Sequence, residues 1–461
     1  MTAINPELEE IEAAAAAAND SSAEPYPPER AAYWALFVFA LSLVVNFLDR
    51  GILNLLVAPI KRDLHLSDFS FSMLMGPAFV IFYVLLGLPI ARLVDSRSRR
   101  GIIGVGLTCW SVMTAACGLA QGFWSFFVAR VGVGVGEACT GPATYSMLSD
   151  LFPREKLPRA IAFMQLGTTA GMGLALLLGA AVIQALTNVP DMRLPPIGVV
   201  HNWQLVFFIV GIPGLIVALL MRTVVEPKRR GLIAGGAQPK GLPLKDVVGF
   251  LITHRATYGP IFLALGVSVL STFGTQAWAP TFYQRTFGWL PQKSAVFLGI
   301  GTIVVTPIGL FLGTMLVEWY NRRRLDDANL RVVRWSTLCA LPFPILGPLM
   351  PSPWLAIGAY LTGLLIASIG TSAQNAALQT ITPNQMRGQV TALYLFVFNA
   401  VGFGLGPVVI ASLTDGFFHD EAKIGQAMSL TALCLSPISV LCYWLVLKSY
   451  GRMVGLAKTW R

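Results

Sequence analysis

The chain of 461 residues has little charge, since 12% of its residues are Asp, Glu, Lys or Arg and 55% are hydrophobic. Soluble domains carry about 25% charged residues. Long apolar runs recur along the whole chain, so this deficit indicates a polytopic helical membrane protein rather than a large soluble enzyme. The net charge of +10 does not indicate nucleic-acid binding, because the basic residues lie in short loops between apolar runs.

Side chains that form metal sites and common catalytic motifs are also scarce. The six cysteines all lie in apolar segments without zinc-ligand spacing, so we interpret them as packing residues rather than metal ligands or disulfides. The four histidines lie in loops or at the ends of apolar runs. No GxxxxGK[ST], HExxH or GxSxG motif is present. We therefore expect no enzyme, no ATP-driven pump, and no cofactor or metal.

Apolar runs of membrane-spanning length divide into two groups of six. The first six lie near residues 31–58, 71–94, 101–120, 124–150, 159–186 and 203–223. The second six lie near 258–284, 294–319, 332–349, 353–380, 388–414 and 424–447. This pattern predicts an all-α membrane protein with 12 transmembrane helices in two pseudo-symmetric bundles, 31–223 and 258–448. Residues 224–257, which contain a GGAQPKGLP stretch, predict the linker between them.

The distribution of lysine and arginine predicts the orientation. The even-numbered loops and both termini hold 25 of these residues, and the odd-numbered loops hold 6. By the positive-inside rule, both termini and the linker face the cytoplasm, with the chain in the cell's inner membrane. Residues 1–30 are acidic and lack the basic region of a signal peptide, so we expect a disordered cytoplasmic tail; residues 449–461 predict a second tail.

The two halves repeat one short motif. An acidic residue followed four and five positions later by two arginines ends spans 2 and 8: Asp95, Arg99 and Arg100, then Glu318, Arg322 and Arg323. Spans 4 and 10 both end near a proline, Pro153 and Pro383. Matching features separated by 223 and 230 residues indicate two six-helix repeats, an arrangement found in transporters.

Four charged residues lie well inside predicted spans, away from the span ends. Asp49 and Arg50 stand in NFLDRGILN of span 1, and Arg130 and Glu137 in RVGVGVGEACTGP of span 4. Such a side chain costs about 3 kcal/mol to place at the bilayer centre and is a functional candidate by default. Comparable depths predict that Arg130 can meet Asp49. Arg130 and Glu137 lie about 10.5 Å apart along one helix, so Glu137 needs another partner, a proton or substrate.

Because no span contains histidine, carboxylates would have to carry any transported protons. Asp49 and Glu137 are the only acids well inside the spans, which predicts that they couple transport to protons. Arg50 and Arg130 would tune them or attract an anionic head group. The alternative is a static ion-pair network that fixes spans 1 and 4.

These motifs together resemble the major facilitator superfamily, and the stretches of spans 1 and 4 resemble its spinster-like branch. That branch includes bacterial members and animal transporters of sphingolipids and lysophospholipids. The resemblance implies a proton-linked carrier of an amphiphilic molecule, with Asp49, Arg50, Arg130 and Glu137 as its functional residues. It also implies that Asp95 faces the start of span 11 near Arg387. Ala91 and Ser98 replace glycines that are usual in the family's first motif.

The second half has no charged residue well inside a span, so we expect a cavity that is charged on one wall and neutral on the other. Intramembrane amides also serve as contacts between helices, so each candidate has that alternative role. The candidate cavity residues are Asn46, Phe79, Tyr83, Gln165, Gln276, Trp278, Gln374, Asn375, Tyr394 and Asn399.

This asymmetry fits an amphiphile with a polar head and an apolar body. The sequence thus predicts a monomeric, proton-coupled secondary transporter of an amphiphilic or lipid-like substrate, working by alternating access. A proton symporter of a small organic anion or sugar acid is the alternative, and a non-transporting receptor is the alternative from another class. Sodium coupling remains open, because a carboxylate also ligates sodium. Substrate identity and direction of transport are not determined by the sequence.

Overall fold

The computed structural model describes residues 26–153, 155–194, 198–229 and 243–459, and most of these residues are helical. Most of the predicted disordered tail, residues 1–25, and residues 230–242 of the predicted linker lie outside the described residues. Within the described residues, eleven helices are long and apolar enough to cross a membrane. The remaining predicted span, span 4, is divided near Cys139 into two shorter helices. The predicted count of 12 is therefore consistent with the structure.

Nine helices lie in the first half of the chain among the described residues. They are α1 (Glu29–Leu55), α2 (Val57–Leu64), α3 (Asp68–Met75), α4 (Pro77–Ser96), α5 (Arg99–Cys117), α6 (Phe123–Ala138), α7 (Thr140–Leu151), α8 (Leu157–Leu186) and α9 (Asn202–Met221). A short antiparallel hairpin, β1 (Met192–Leu194) and β2 (Gly198–Val200), precedes α9 and was not predicted.

In the described part of the second half, ten helices are of α type. They are α10 (Leu244–Thr253), α11 (Arg255–Phe287), α12 (Pro291–Arg322), α13 (Ala328–Ala340), α14 (Pro342–Leu346), α15 (Pro353–Thr380), α16 (Asn384–Val397), α17 (Gly406–Ser412), α18 (Ile424–Leu445) and α19 (Leu447–Ala457). Helix α10 lies inside the predicted linker, and α19 occupies most of the predicted C-terminal tail. Short 3-10 turns lie at Gly347–Leu349 and Glu421–Lys423.

Span 11 departs from regular α-helix. Two π-helical segments, Phe398–Leu405 and Leu413–Phe418, flank α17. π-Helical turns are rare and are found mostly at functional sites. The first segment contains Gly404, whose carbonyl oxygen would lie 2.3 Å from a Cβ added at Gly76. This distance is far too short for a side chain, so glycine at position 76 permits spans 2 and 11 to approach closely.

Contacts between helix ends define the two ends of the bundle. Glu29 at the start of α1 pairs with Lys156 between α7 and α8. In the second half, Lys458 lies 2.6 Å from Asp326, just before α13. We call the end that carries these contacts, the start of α1 and the end of α19 the tail end, and the opposite end the far end. The connection between α1 and α3 and the hairpin lie at the far end.

The two halves pack against each other through small residues as well as aromatic ones. A Cβ added at Gly173 of α8 would lie 2.6 Å from the carbonyl oxygen of Gly299 in α12. Large apolar side chains on the outer surface are exposed, including Trp124 (73%) and Val105 (69%). An apolar exterior around long helices is what a lipid environment requires. The molecule is a multi-pass membrane protein.

Candidate functional site

An ion pair between α1 and α6 forms the centre of the candidate site. The Glu137 Oε2 atom accepts hydrogen bonds from Arg50 Nη2 at 2.6 Å and from Arg50 Nε at 3.0 Å. The guanidinium carbon of Arg50 lies 4.4 Å from the ring centre of Phe79, 5.1 Å from that of Phe403 and 5.6 Å from that of Tyr83. The arginine is thus held by one carboxylate and three aromatic faces, which stabilise a cation away from water.

The predicted meeting of Arg130 and Asp49 is wrong as a direct ion pair. Asp49 is fully buried, and its Oδ2 atom accepts a hydrogen bond from the Thr114 hydroxyl of α5. Arg130 donates instead from Nε to the Leu74 carbonyl oxygen of α3, at 3.3 Å. Equal depth along two helices does not determine which way the side chains turn, and nearer polar groups engage both residues first.

Each of three charged residues keeps one polar atom without a hydrogen-bond partner among the described residues. These atoms are Asp49 Oδ1, Glu137 Oε1 and Arg130 Nη1. All three residues are at most 1% exposed. A buried polar atom left unpaired costs roughly 1–3 kcal/mol, and more when it is charged. Protonation of a carboxylate, or an anionic ligand at Arg130, would relieve this cost.

Glycines of α6 bring the four charged residues together. A Cβ added at Gly134 would lie 2.3 Å from the Phe79 carbonyl oxygen of α4, and one added at Gly136 would lie 2.6 Å from Trp110 of α5. Only glycine permits these approaches. The sequence motif RVGVGVGEACTGP therefore has a packing role, which places Glu137 near α1.

A cavity that is partly open to solvent lies beside the charged residues. Its charged lining comes from the first half, through Arg50 and Arg130. The second half contributes neutral groups, including Gln276, Thr302 and Tyr360. Aromatic and aliphatic side chains complete the lining: Phe47, Met75, Phe79, Met172, Leu176, Phe273, Leu298 and Phe403. Among the described residues, the cavity has the asymmetry that the sequence predicts.

Of the predicted cavity residues, Phe79 and Gln276 line this cavity. Trp278 does not, which corrects the prediction: it is fully buried, and its indole Nε1 donates to the Pro407 carbonyl oxygen at 2.9 Å. Two positions along a helix turn a side chain by about 200°, so Gln276 and Trp278 face different ways. Asn46 is buried, and Tyr83 packs near Arg50 without lining the cavity.

The remaining candidates lie elsewhere and make local contacts, so they do not line this cavity. Gln374 donates to the Tyr443 hydroxyl at 2.6 Å. The Tyr394 ring stacks on Phe398, with 6.4 Å between ring centres. The others are Asn375, which accepts a bond from Gln379 at 3.5 Å, Asn399, which donates to the Leu395 carbonyl at 2.8 Å, and Gln165, which is exposed on α8.

The first repeat of the acidic-and-arginine motif forms a tail-end cluster. Arg99 is 1% exposed and pairs with Asp150 of α7 and with Glu226 beyond α9, whose Oε1 lies 3.3 Å from Arg99 Nε. Glu226 also accepts hydrogen bonds from the Ser98 hydroxyl at 2.7 Å and from the Arg100 backbone N–H at 2.8 Å. Partial burial raises the pKa of Glu226, but these donors outweigh it and hold the pKa below its usual range.

The rest of the motif is less connected. The side chain of Asp95 lies outside the described part of the structure, so its predicted position near span 11 stays a prediction. Arg387, near the start of α16, donates from Nε to the Thr382 carbonyl oxygen just before that helix, at 3.1 Å. In the second repeat, Arg323 stacks over Trp319 at 3.7 Å. The other two residues of this repeat, Glu318 and Arg322, lie at the C-terminal end of α12, at the tail end.

A four-residue charge cluster at the far end was not predicted. Lys61 and Asp68 come from the first half, and Arg285 and Glu421 from the second. Arg285 lies 2.6 Å from Asp68, and Lys61 lies 2.7 Å from Glu421, so both contacts cross between the halves. In the sequence all four residues stand at the ends of predicted spans, and the positive-inside rule uses such residues only to orient the chain. The one feature of the sequence that could have indicated the cluster is that two of these residues are basic and two are acidic.

Known proteins resemble this chain along most of its length. Residues 39–407 match the family model of the Major Facilitator Superfamily. An "MFS-type efflux pump" of Mycolicibacterium smegmatis is 28% identical over 450 residues, 95% of this chain and 97% of that protein. "Protein spinster homolog 3" of Danio rerio is 25% identical over 410 residues, 84% of this chain and 78% of that protein.

A solved structure agrees with these relatives. The crystal structure of a bacterial homolog to the human lysosomal transporter spinster, in an inward-facing and unoccupied conformation, is 25% identical in sequence. The structural alignment covers 94% of this chain and 98% of the chain of that homolog, with a TM-score of 0.71.

Proposed function

Because the chain belongs to the major facilitator superfamily and to its spinster-like branch, it is a membrane transporter, and we propose that it is a proton-coupled carrier of an amphiphilic organic molecule. The observation that supports proton coupling most directly is the pair of unpartnered carboxylate oxygens, Asp49 Oδ1 and Glu137 Oε1. Each carboxylate has one oxygen bonded and one free to receive a proton. A fixed structural network would bond both oxygens.

The lining of the cavity supports an amphiphilic substrate. Arg50 and Arg130 offer positive charge on one wall, and Arg130 Nη1 has no partner among the described residues. The opposite wall offers an amide, a hydroxyl and apolar rings. A molecule with a polar or anionic head and an apolar body would meet both walls.

Transport would proceed by alternating access with both termini in the cytoplasm. The asymmetry of 25 against 6 basic residues supports this orientation in the inner membrane. In that orientation the far-end cluster closes the outer side of the protein. Entry of a proton at Glu137 would weaken the hold of Arg50 on α6 and free the helices to rearrange. Substrate and proton would then exchange at one buried site.

Flux in vesicles tests this proposal. The purified protein is reconstituted, internal pH is followed with a trapped dye, and lysolipids, amphiphilic drugs or small sugar acids are added. We expect proton movement that requires an amphiphile and is lost in Asp49→Asn. Asp326→Asn is the control, because that carboxylate is 61% exposed at the surface.

Other outcomes would redirect or overturn the proposal. Proton movement with sugar acids alone would favour a small-anion symporter. Flux that follows a sodium gradient but ignores pH would replace the proton with sodium. Folded protein that moves none of these solutes would contradict a transport role for the site and favour a receptor. Asp49→Asn with the pH dependence of the unmodified protein would support the static network.

A further inference from the structure

The far-end cluster of Lys61, Asp68, Arg285 and Glu421 joins the two halves where they meet. We propose that Asp68 is the switch residue that keeps the far end closed, and that α3 couples its ion pairs to the buried charged residues. The inference rests on the proposed transport function, since it assigns how one step of alternating access is controlled. Asp68 is a positioning residue here, because it does not line the substrate cavity.

Asp68 is the most heavily bonded carboxylate of the cluster. It is fully buried, and its Oδ1 atom contacts Lys61 Nζ and Arg285 Nη2, the latter at 2.8 Å. Its Oδ2 atom lies 2.6 Å from Arg285 Nη1 and accepts a bond from the Thr414 hydroxyl at 3.2 Å. Arg285 and Thr414 belong to the second half. When the far end opens, Asp68 keeps only Lys61.

Glu421 completes the cluster and makes it neutral overall. It lies 2.7 Å from Lys61 and 2.6 Å from Arg285. A further bond from the Phe69 backbone N–H to Asp415 Oδ2, at 2.7 Å, also crosses between the halves. Breaking one partner away from a buried pair leaves an uncompensated charge, which is strongly unfavourable unless water enters. The cluster therefore favours the closed far end until the halves separate together.

Helix α3 connects the cluster with the candidate site. Asp68 lies in its first turn, where a negative charge is favoured, and the Leu74 carbonyl near its last turn accepts a bond from Arg130. Eight residues of helix span about 12 Å. Asp68 and Leu74 are both fully buried. Helix α3 is therefore a short buried helix that contacts the far-end cluster at its first turn and Arg130 near its last turn.

A break after α3 separates it from the rest of span 2. Gly76 has φ −109° and ψ −80°, and α4 begins at Pro77. Proline has no backbone N–H, so the chain can turn at this point without breaking a helical hydrogen bond there. The π-helical segment of span 11 lies against Gly76. A shift of Arg130, on proton or substrate binding, can therefore tilt α3 without dragging α4.

The competing interpretation is a static staple that only stabilises the fold. Removal of a staple lowers the free energy of unfolding but does not change the distance between the two halves in folded protein. Removal of a switch changes that distance. The two interpretations therefore predict different distances between the halves, but the same loss in the free energy of unfolding.

Spin labels on the far ends of the two halves provide that readout. Asn188 and Pro351 are exposed at the far ends of the first and second half. Both are replaced by cysteine, in a chain whose six native cysteines are removed, and double electron–electron resonance measures the distance in nanodiscs. We expect one short-distance population in the parent. Asp68→Asn should raise the ratio of long to short distances by tenfold or more.

Asp63→Asn is the matched control. This carboxylate also lies near the far end, but its partners Arg62 and Trp203 belong to its own half. We expect its distances to match the parent. Where Asp68→Asn yields too little folded protein, Glu421→Gln gives a smaller shift in the same direction, because Asp68 keeps both cations. Folded Asp68→Asn or Glu421→Gln with parental distances would overturn the switch.

A second arm tests the coupling through α3. Arg130→Met removes the bond to the Leu74 carbonyl, and we expect it to lengthen the far-end distance as Asp68→Asn does. The double variant should then shift no further than Asp68→Asn alone. Parental distances in Arg130→Met, or fully additive shifts, would overturn the coupling. No substrate or proton gradient is used, so a failure of the proposed transport function cannot imitate either result.

Discussion

Arg50 of α1 holds Glu137 of α6 through one carboxylate oxygen, Oε2, at 2.6 Å, while the other oxygen, Oε1, is buried without a partner among the described residues. Buried ion pairs that serve only structure gain most when every lone pair is satisfied. Here the arginine is well held, by the carboxylate and by three rings, and the glutamate is half satisfied. That imbalance makes the glutamate the partner whose state can change.

Glu137→Gln tests this directly. The amide keeps the shape but cannot carry a proton, and it leaves the Arg50 charge unpaired. We expect the rate of proton-driven transport in vesicles to fall by about tenfold or more. Loss of a group that transfers a proton typically lowers a rate by more than this. Exchange of labelled substrate across vesicles without a gradient should persist. Parental pH dependence of net transport in this variant would contradict proton coupling at Glu137.

The two polar side chains Gln276 and Trp278 should behave differently although they are two positions apart. Gln276 lines the cavity, so Gln276→Ala should raise the KM for transport by about two- to tenfold, the worth of one hydrogen bond, with little change in kcat. The measurement is initial uptake against substrate concentration. An unchanged KM would remove Gln276 from the substrate site.

Trp278→Phe should leave that KM unchanged. The substitution removes the bond to the Pro407 carbonyl and part of the buried ring volume, so the free energy of unfolding should fall by about 1–3 kcal/mol. Unfolding by a graded denaturing detergent checks this value. A large change in KM with no loss of stability would mean that Trp278 reaches the substrate after all.

The helical membrane fold, with a number of spans consistent with 12, could be predicted because each span is a long apolar run. The sequence also singles out Asp49, Arg130 and Glu137, which the structure buries, because a charge inside a span is expensive; their role in transport stays a prediction. The pairing could not be predicted: Arg50 is the partner of Glu137, and Arg130 bonds the Leu74 carbonyl rather than Asp49. Both contacts depend on the rotation of the helices relative to one another. The far-end cluster joins residues up to 360 positions apart, which no local pattern reveals. The break between α3 and α4 depends on packing of Gly76 against span 11.

Arg99 and Arg100 are neighbours in one motif, but the structure predicts unequal roles. Arg99 is 1% exposed and bonded to two carboxylates and to the Pro227 carbonyl, at 2.7 Å. Arg99→Gln should lower the free energy of unfolding by about 3–5 kcal/mol, because it strands buried acids. Arg100→Gln, at an exposed position, should cost less than about 1 kcal/mol. Equal losses in detergent unfolding would contradict this assignment.

Glu226 should make the tail-end cluster sensitive to acid. Burial raises its pKa, but hydrogen bonds from Ser98, Arg99 and Arg100 outweigh burial and hold the pKa below its usual value. A lowered pKa in the folded state means that this carboxylate stabilises the fold above the ordinary pKa of glutamate, about 4.3. The contribution is lost as pH falls through the folded-state pKa. Acidification below that ordinary value should therefore lower the Tm partly through Glu226.

Glu226→Gln isolates this contribution. The variant should have a lower Tm than the parent at pH 7, and the difference should shrink as the pH falls from about 5 toward 3, because the parent loses the same charge. Glu155→Gln, an exposed acid at the same end, should follow the parent at every pH. Thermal unfolding in detergent across this range provides the comparison. A constant difference in Tm between parent and Glu226→Gln would mean that shape, rather than the charge held by Arg99, accounts for the stability of the cluster.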